Sequence, residues 1–180
     1  EMGIGNTTTS SAVASVLLGL PPEKVAGRGA GLSSAGLERK REAIRRAIAR
    51  NSPDPMDALD VLQKVGGLDL AGMAGTFLGA AAVQMPVLID GFISASAALL
   101  AARICPAARE YMVASHVSGE PAAHWILQEL ELKPFLTADM TLGEGTGAVA
   151  ALPLLDMACA VYGSMRTFEQ ISIEPYRPLH

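Results

Sequence analysis

Long stretches with helical spacing of apolar residues are separated along this chain by short unbroken apolar runs that end in polar tips. The helical pattern predicts segments over residues 11–19, 35–50, 56–65, 68–83, 94–104 and 121–130, and a last one reaching about residue 165. Each is bounded by recognisable signals. Asn6-Thr-Thr-Thr-Ser10 and Ser33-Ser34 supply N-cap side chains, Pro21-Pro22 ends the first helix, Asn51-Ser-Pro-Asp-Pro55 starts the third, and Thr146 caps the last. The runs Met85-Pro-Val-Leu-Ile89 and Tyr111-Met-Val-Ala114 read as buried parallel strands. Residues 135–140 read as a third strand or an extended segment. Strand, polar tip and helix in alternation predict an α/β fold: a parallel sheet flanked by helices.

In such sheets ligands bind beyond the carboxyl ends of the strands. Asp90, Ser115, His116, Ser118 and Glu144 all fall at such ends or just past them. Two glycine-bracketed acidic segments stand out, Glu1-Met-Gly-Ile-Gly-Asn6 and Leu142-Gly-Glu-Gly-Thr-Gly147. Gly3 and Gly5 ahead of a capped helix suit backbone N–H contacts to a phosphate, although the pattern is neither a Walker loop nor a dinucleotide fingerprint. A second glycine-rich stretch is Ala26-Gly-Arg-Gly-Ala-Gly31.

Composition narrows the picture. At 180 residues, 50% apolar but 4% aromatic, the chain builds one domain whose core is mostly Ala, Leu, Val, Ile and Met. A net charge of −4 with scattered cations argues against nucleic-acid binding. Cys105 and Cys159 lack disulfide or zinc spacing and read as buried, reduced thiols of a cytoplasmic protein. Residues 70–89 have the length of a membrane span, but are rich in Ala and Gly and contain Gln84 and Pro86. They read instead as a buried helix and strand, with Gly72, Gly75 and Gly79 allowing tight core packing. No signal peptide is visible, and a start at Glu1 without a preceding strand suggests a portion of a longer protein.

Several candidates have plain structural readings. Lys40 lies among cations on a charged helix, where a solvated face is the default. His116 is either a base or a hydrogen-bonded structural histidine. For Glu144, apolar Met140, Leu142 and Leu152 disfavour the carboxylate and the following helix N-terminus favours it, a balance that suits a base. The alternative is a carboxylate closing that helix's own N-terminus.

Five segments together resemble the nicotinate-nucleotide:dimethylbenzimidazole phosphoribosyltransferase family. They are Glu1-Met-Gly-Ile-Gly-Asn-Thr-Thr8, Lys64-Val-Gly-Gly67, Pro86-Val-Leu-Ile-Asp-Gly-Phe92, Ser115-His-Val-Ser118 and Leu142-Gly-Glu-Gly-Thr-Gly147, in order and in register up to about Phe168. The resemblance implies a Rossmann-like sheet with part of a small helical domain at the C-terminal end. Residues 1–168 would be the C-terminal portion of the enzyme and 169–180 a tail. It implies transfer of the phosphoribosyl group of nicotinate mononucleotide to a benzimidazole nitrogen, in assembly of the cobalamin lower-ligand nucleotide. Glu144 matches the general base and Glu1 a second acid beside sugar and pyridine. Gly3 and Gly5 match the nucleotide segment, Lys40 a phosphate ligand, Asp90 a position near the ribose, Ser118 one near nicotinate, and Met2 and Leu142 apolar contacts to benzimidazole. No cofactor or metal is implied, and the family's enzyme is a homodimer. Its members are roughly twice as long, so one wall of the benzimidazole pocket is absent from this chain. The competing readings are a non-catalytic nucleotide-binding module, and a membrane or interaction protein built around residues 70–89.

Overall fold

A computed structural model describes residues 3–174 and Arg177. The expected site residues Glu1 and Met2 lie outside them, as does most of the end of the expected tail. The elements run α1 (Thr7–Leu18), α2 (Pro22–Val25), α3 (Ser34–Asn51), α4 (Ala58–Val65), α5 (Leu68–Ala82), β1 (Val87–Ile89), α6 (Phe92–Ile104), a 3-10 turn (Pro106–Tyr111), β2 (Met112–Ala114), α7 (Pro121–Glu129) and α8 (Thr146–Ser164).

β1 and β2 pair in parallel, with Val87 opposite Met112 and Ile89 opposite Ala114. The anticipated third strand shrinks to one parallel bridge, His116 with Leu136, beyond which the Gly119 N–H still donates to the Met140 carbonyl without forming a further strand pair. The first strand is also shorter than its apolar run, since Met85 and Pro86 are exposed. α6 is the central element: nine of its 13 residues are buried, against α1, α4, α5 and α7. Past Phe92 and Ile93 its covered residues are all Ala, Ser and Leu, so neighbouring helices approach closely and bury apolar area at about 25 cal/mol per Å².

Helix ends follow local chemistry. The Gly36 N–H donates to Ser33 Oγ (3.1 Å) at the start of α3, and the N–H groups of Leu59 and Asp60 donate to Asp57 Oδ1 at α4. Ser33→Ala is expected to cost about 1 kcal/mol, read as a lower urea midpoint with unchanged slope.

Two packing expectations are corrected. α5 buries a narrow stripe, Leu70, Ala74 and Phe77, while nothing lies within 4 Å of a Cβ placed at Gly72, Gly75 or Gly79. Those glycines therefore face open space rather than a tight core. Cys105 and Cys159 are both exposed, the first just beyond α6 and the second on α8. α8 buries Gly147 and Ala151 and exposes Val149, Leu152, Met157, Val161 and Tyr162. By length and composition α8, rather than residues 70–89, is the described helix long and apolar enough to cross a membrane.

Candidate active site

A cavity of about 220 Å³ opens at the carboxyl ends of the two strands. Gly3 and Thr7 line it from the start of α1, and Gly29 and Ala30 from the glycine-rich loop. Residues 90–94 contribute from the β1–α6 junction, and His116, Ser118 and Glu120 from beyond β2. Met140, Thr141, Leu142, Gly143 and Gly145 close it from the loop before α8. The strand tips and the two glycine segments thus converge as the topology predicts.

Lys40 overturns its solvated-face reading. It is 6% exposed, and its Nζ donates to Thr7 Oγ1 and to the Gly27 carbonyl, each at 3.0 Å. Gly36, Lys40 and Ile44 form the buried stripe of α3, one turn apart on the face that meets α1. Burial pushes the Lys40 ammonium below the usual lysine range, and the charge of Glu120 pulls it partly back. Lys40 does not itself line the cavity; it stands behind Thr7, which does. Because the Thr7 oxygen accepts from Lys40, the Thr7 proton is left to point elsewhere.

Glu120 precedes α7, whose first residue is Pro121. Its Oε1 accepts the Gly29 N–H at 3.0 Å, while its Oε2 is buried with no hydrogen-bond partner among the described residues. A Cβ at Gly27 would meet Oε2 at 2.0 Å, so the carboxylate occupies the space that glycine leaves. Lys40 thus ties the 26–31 loop to α1, and Glu120 ties it to the start of α7.

Glu144 is exposed, between two cavity-lining glycines. Gly143 (φ +75°), Glu144 (φ +58°) and Gly145 (φ +82°) are three consecutive left-handed residues, a conformation disfavoured for a non-glycine residue such as Glu144. The apolar setting expected for Glu144 is not built by this chain: Leu142 is 70% and Leu152 46% exposed. Nor does Glu144 cap α8. That role belongs to Asp90, whose Oδ2 accepts from Gly145 N–H (3.0 Å) and whose Oδ1 accepts from Gly147 (2.9 Å) and Ala148 (3.1 Å) N–H.

Ser115 Oγ donates to the Ile89 carbonyl (2.6 Å), tying the two strand ends together. Its single proton is thereby used, so the 3.1 Å contact with His116 Nδ1 makes that ring nitrogen the donor. His116 is buried against α8: a Cβ at Gly147 would lie 1.9 Å from Nδ1. The structural reading of His116 is therefore the one this packing favours. Ser118 lines the cavity, whereas Gly5 is exposed and lines instead an open depression with Asn6, Thr9 and Asp69. Sequence reasoning missed Thr7 and Glu120, and the signals were present: a hydroxyl at the first helical position and an acid directly before Pro121.

A family model described as phosphoribosyltransferase matches residues 1–173, the span that builds this strand-end cavity. The chain belongs to the nicotinate-nucleotide–dimethylbenzimidazole phosphoribosyltransferase family. A relative with that enzyme's name from Clostridium acetobutylicum is 54% identical over 99% of this chain and 51% of its own length. One from Ruminiclostridium cellulolyticum is 53% identical over the same shares. The crystal structure of CobT from Thermus thermophilus superposes with a TM-score of 0.87 at 45% identity, covering 95% of this chain and 51% of that one. The chain thus spans about half the length of these relatives.

Proposed function

We propose that this chain forms the nucleotide-binding and base-carrying part of a phosphoribosyltransferase. In that enzyme nicotinate mononucleotide and 5,6-dimethylbenzimidazole give α-ribazole 5′-phosphate and nicotinate, a step in cobalamin assembly. The observation that carries it is that the loop bearing Glu144 closes the cavity that Gly3 and Thr7 line from the other side. The names of the relatives supply the substrates.

The phosphate rests at the N-terminus of α1, on backbone N–H groups and the Thr7 hydroxyl, with the Lys40 charge behind. Glu144 takes the proton from one benzimidazole nitrogen while the other nitrogen attacks C1′. The C1′–nitrogen bond to nicotinate breaks, its electron pair returns to the pyridine ring, and the anomeric carbon inverts. Removing the azole proton raises its nucleophilicity as the bond forms. Glu1 stabilises the developing positive charge on the sugar. Met2 and Leu142 contact the benzimidazole, Ser118 the nicotinate, and Gly3 and Gly5 shape the nucleotide segment.

The two paired strands are read as part of a Rossmann-like sheet, residues 1–168 as the catalytic portion, and 169–180 as a tail beyond it. The open apolar side of α8 is read as a packing face toward a small helical domain in a cytoplasmic homodimer. Its many exposed large side chains support protein contact, since soluble surfaces rarely leave such patches bare.

The test is direct. The natural full-length protein is incubated with both substrates and the products are resolved by anomer-sensitive NMR. α-Ribazole phosphate with equimolar nicotinate is expected. Nucleotide binding without product would favour the non-catalytic module instead.

A further inference from the structure

We propose that Asp90 is a positioning residue, whose carboxylate, carried by the end of β1, clamps the first turn of α8 and so fixes the backbone that presents Glu144. This rests on reading Glu144 as the base. The first amides of a helix have no partner within the helix and need an acceptor from elsewhere. At α8 the N-cap is Gly145, which has no side chain to offer and sits at φ +82°. The acceptor is therefore imported across 55–58 residues of sequence, and one carboxylate takes three amides. A carboxylate offers about four lone-pair sites, so at most one remains for a ribose hydroxyl.

A second contact fixes the same turn. The His116 ring lies against Gly147 where any side chain would collide. His116 is itself held through Ser115 to Ile89, the residue before Asp90. The ends of β1 and β2 thus form one socket for α8. The left-handed turn at Glu144 is closed locally by the Thr146 N–H (3.0 Å) and hydroxyl (2.7 Å), both donating to the Gly143 carbonyl, and the socket anchors that closed turn to the strand ends.

Asp90→Ala and Asp90→Asn test the assignment in the natural full-length protein, with amide hydrogen exchange as the second readout. Asp90→Ala is expected to lower kcat about 100-fold, the scale of an ångström-sized misplacement, with KM for nicotinate mononucleotide changed less than about threefold. The Gly145, Gly147 and Ala148 amides should lose protection while α6 stays protected. Asp90→Asn should recover part of the rate, because Oδ1 still accepts two N–H groups while Nδ2 opposes the third. A raised KM with kcat kept, or lost rate with those amides still protected, overturns the clamp in favour of direct substrate contact. Should Asp90→Ala not fold, the same outcomes are read on Asp90→Asn. The exchange result stands apart from the base reading: if Glu144→Gln kept full activity, that reading would fail while the amides still decided the clamp.

Discussion

Glu144→Gln is expected to reduce phosphoribosyl transfer about 1000-fold while leaving nicotinate mononucleotide affinity within about threefold, the range general-base removal spans. Glutamine keeps the length and the hydrogen-bonding oxygen but has no site for the azole proton. The backbone should hold, because Asp90, Thr146 and the flanking glycines, not the Glu144 side chain, make the loop's hydrogen bonds. Binding should persist because the phosphate contacts lie across the cavity, on α1. Steady-state rates and a separate equilibrium titration check the two halves. Loss of both together would place Glu144 in nucleotide binding rather than proton transfer.

Lys40→Met is expected to weaken nucleotide binding about 10- to 100-fold and to destabilise the fold by about 1–3 kcal/mol, the usual cost of losing hydrogen bonds to a charged group. Three neighbours lose a partner: the Gly27 carbonyl, the Thr7 hydroxyl and, electrostatically, Glu120. The effect on binding runs through Thr7 and the 26–31 loop, since Lys40 lies behind the cavity wall. The same residue gives a pH signature. Its folded pKa is lowered from 10.5, so between that lowered value and 10.5 the unfolded chain holds more protons at this site than the folded one. This group's contribution to stability therefore rises with pH across that window. Urea midpoints of wild type should gain on those of Lys40→Met as pH climbs toward 10.5. A constant gap would mean Lys40 titrates as an exposed lysine does.

Most helices were legible because their signals are local. Ser33 with its following charged repeat, the Pro121 start and the small-residue run of α6 place elements within a few residues of where they stand. The cavity's location was legible too, since polar tips after two apolar runs converge in any parallel arrangement. Taken alone, the charge of Lys40 points to solvent, while its four-residue spacing to Ile44 sets it on the apolar stripe, and here register prevails over charge. Asp90 was not legible as a cap, because its partners are the amides of residues 145, 147 and 148, and backbone amides leave no mark in sequence. The close packing expected of the α5 glycines fails for another reason: helical spacing of small residues does not say which face is covered, and α6 covers the Leu70, Ala74 and Phe77 side instead.

The most direct measurement is calorimetric titration of nicotinate mononucleotide into the folded chain, with Lys40→Ala and Glu144→Gln alongside. Saturable binding is expected, weakened in Lys40→Ala and kept in Glu144→Gln. A folded chain that takes up no nucleotide, or binding indifferent to Lys40, would contradict a phosphate site built by α1, Thr7 and Lys40.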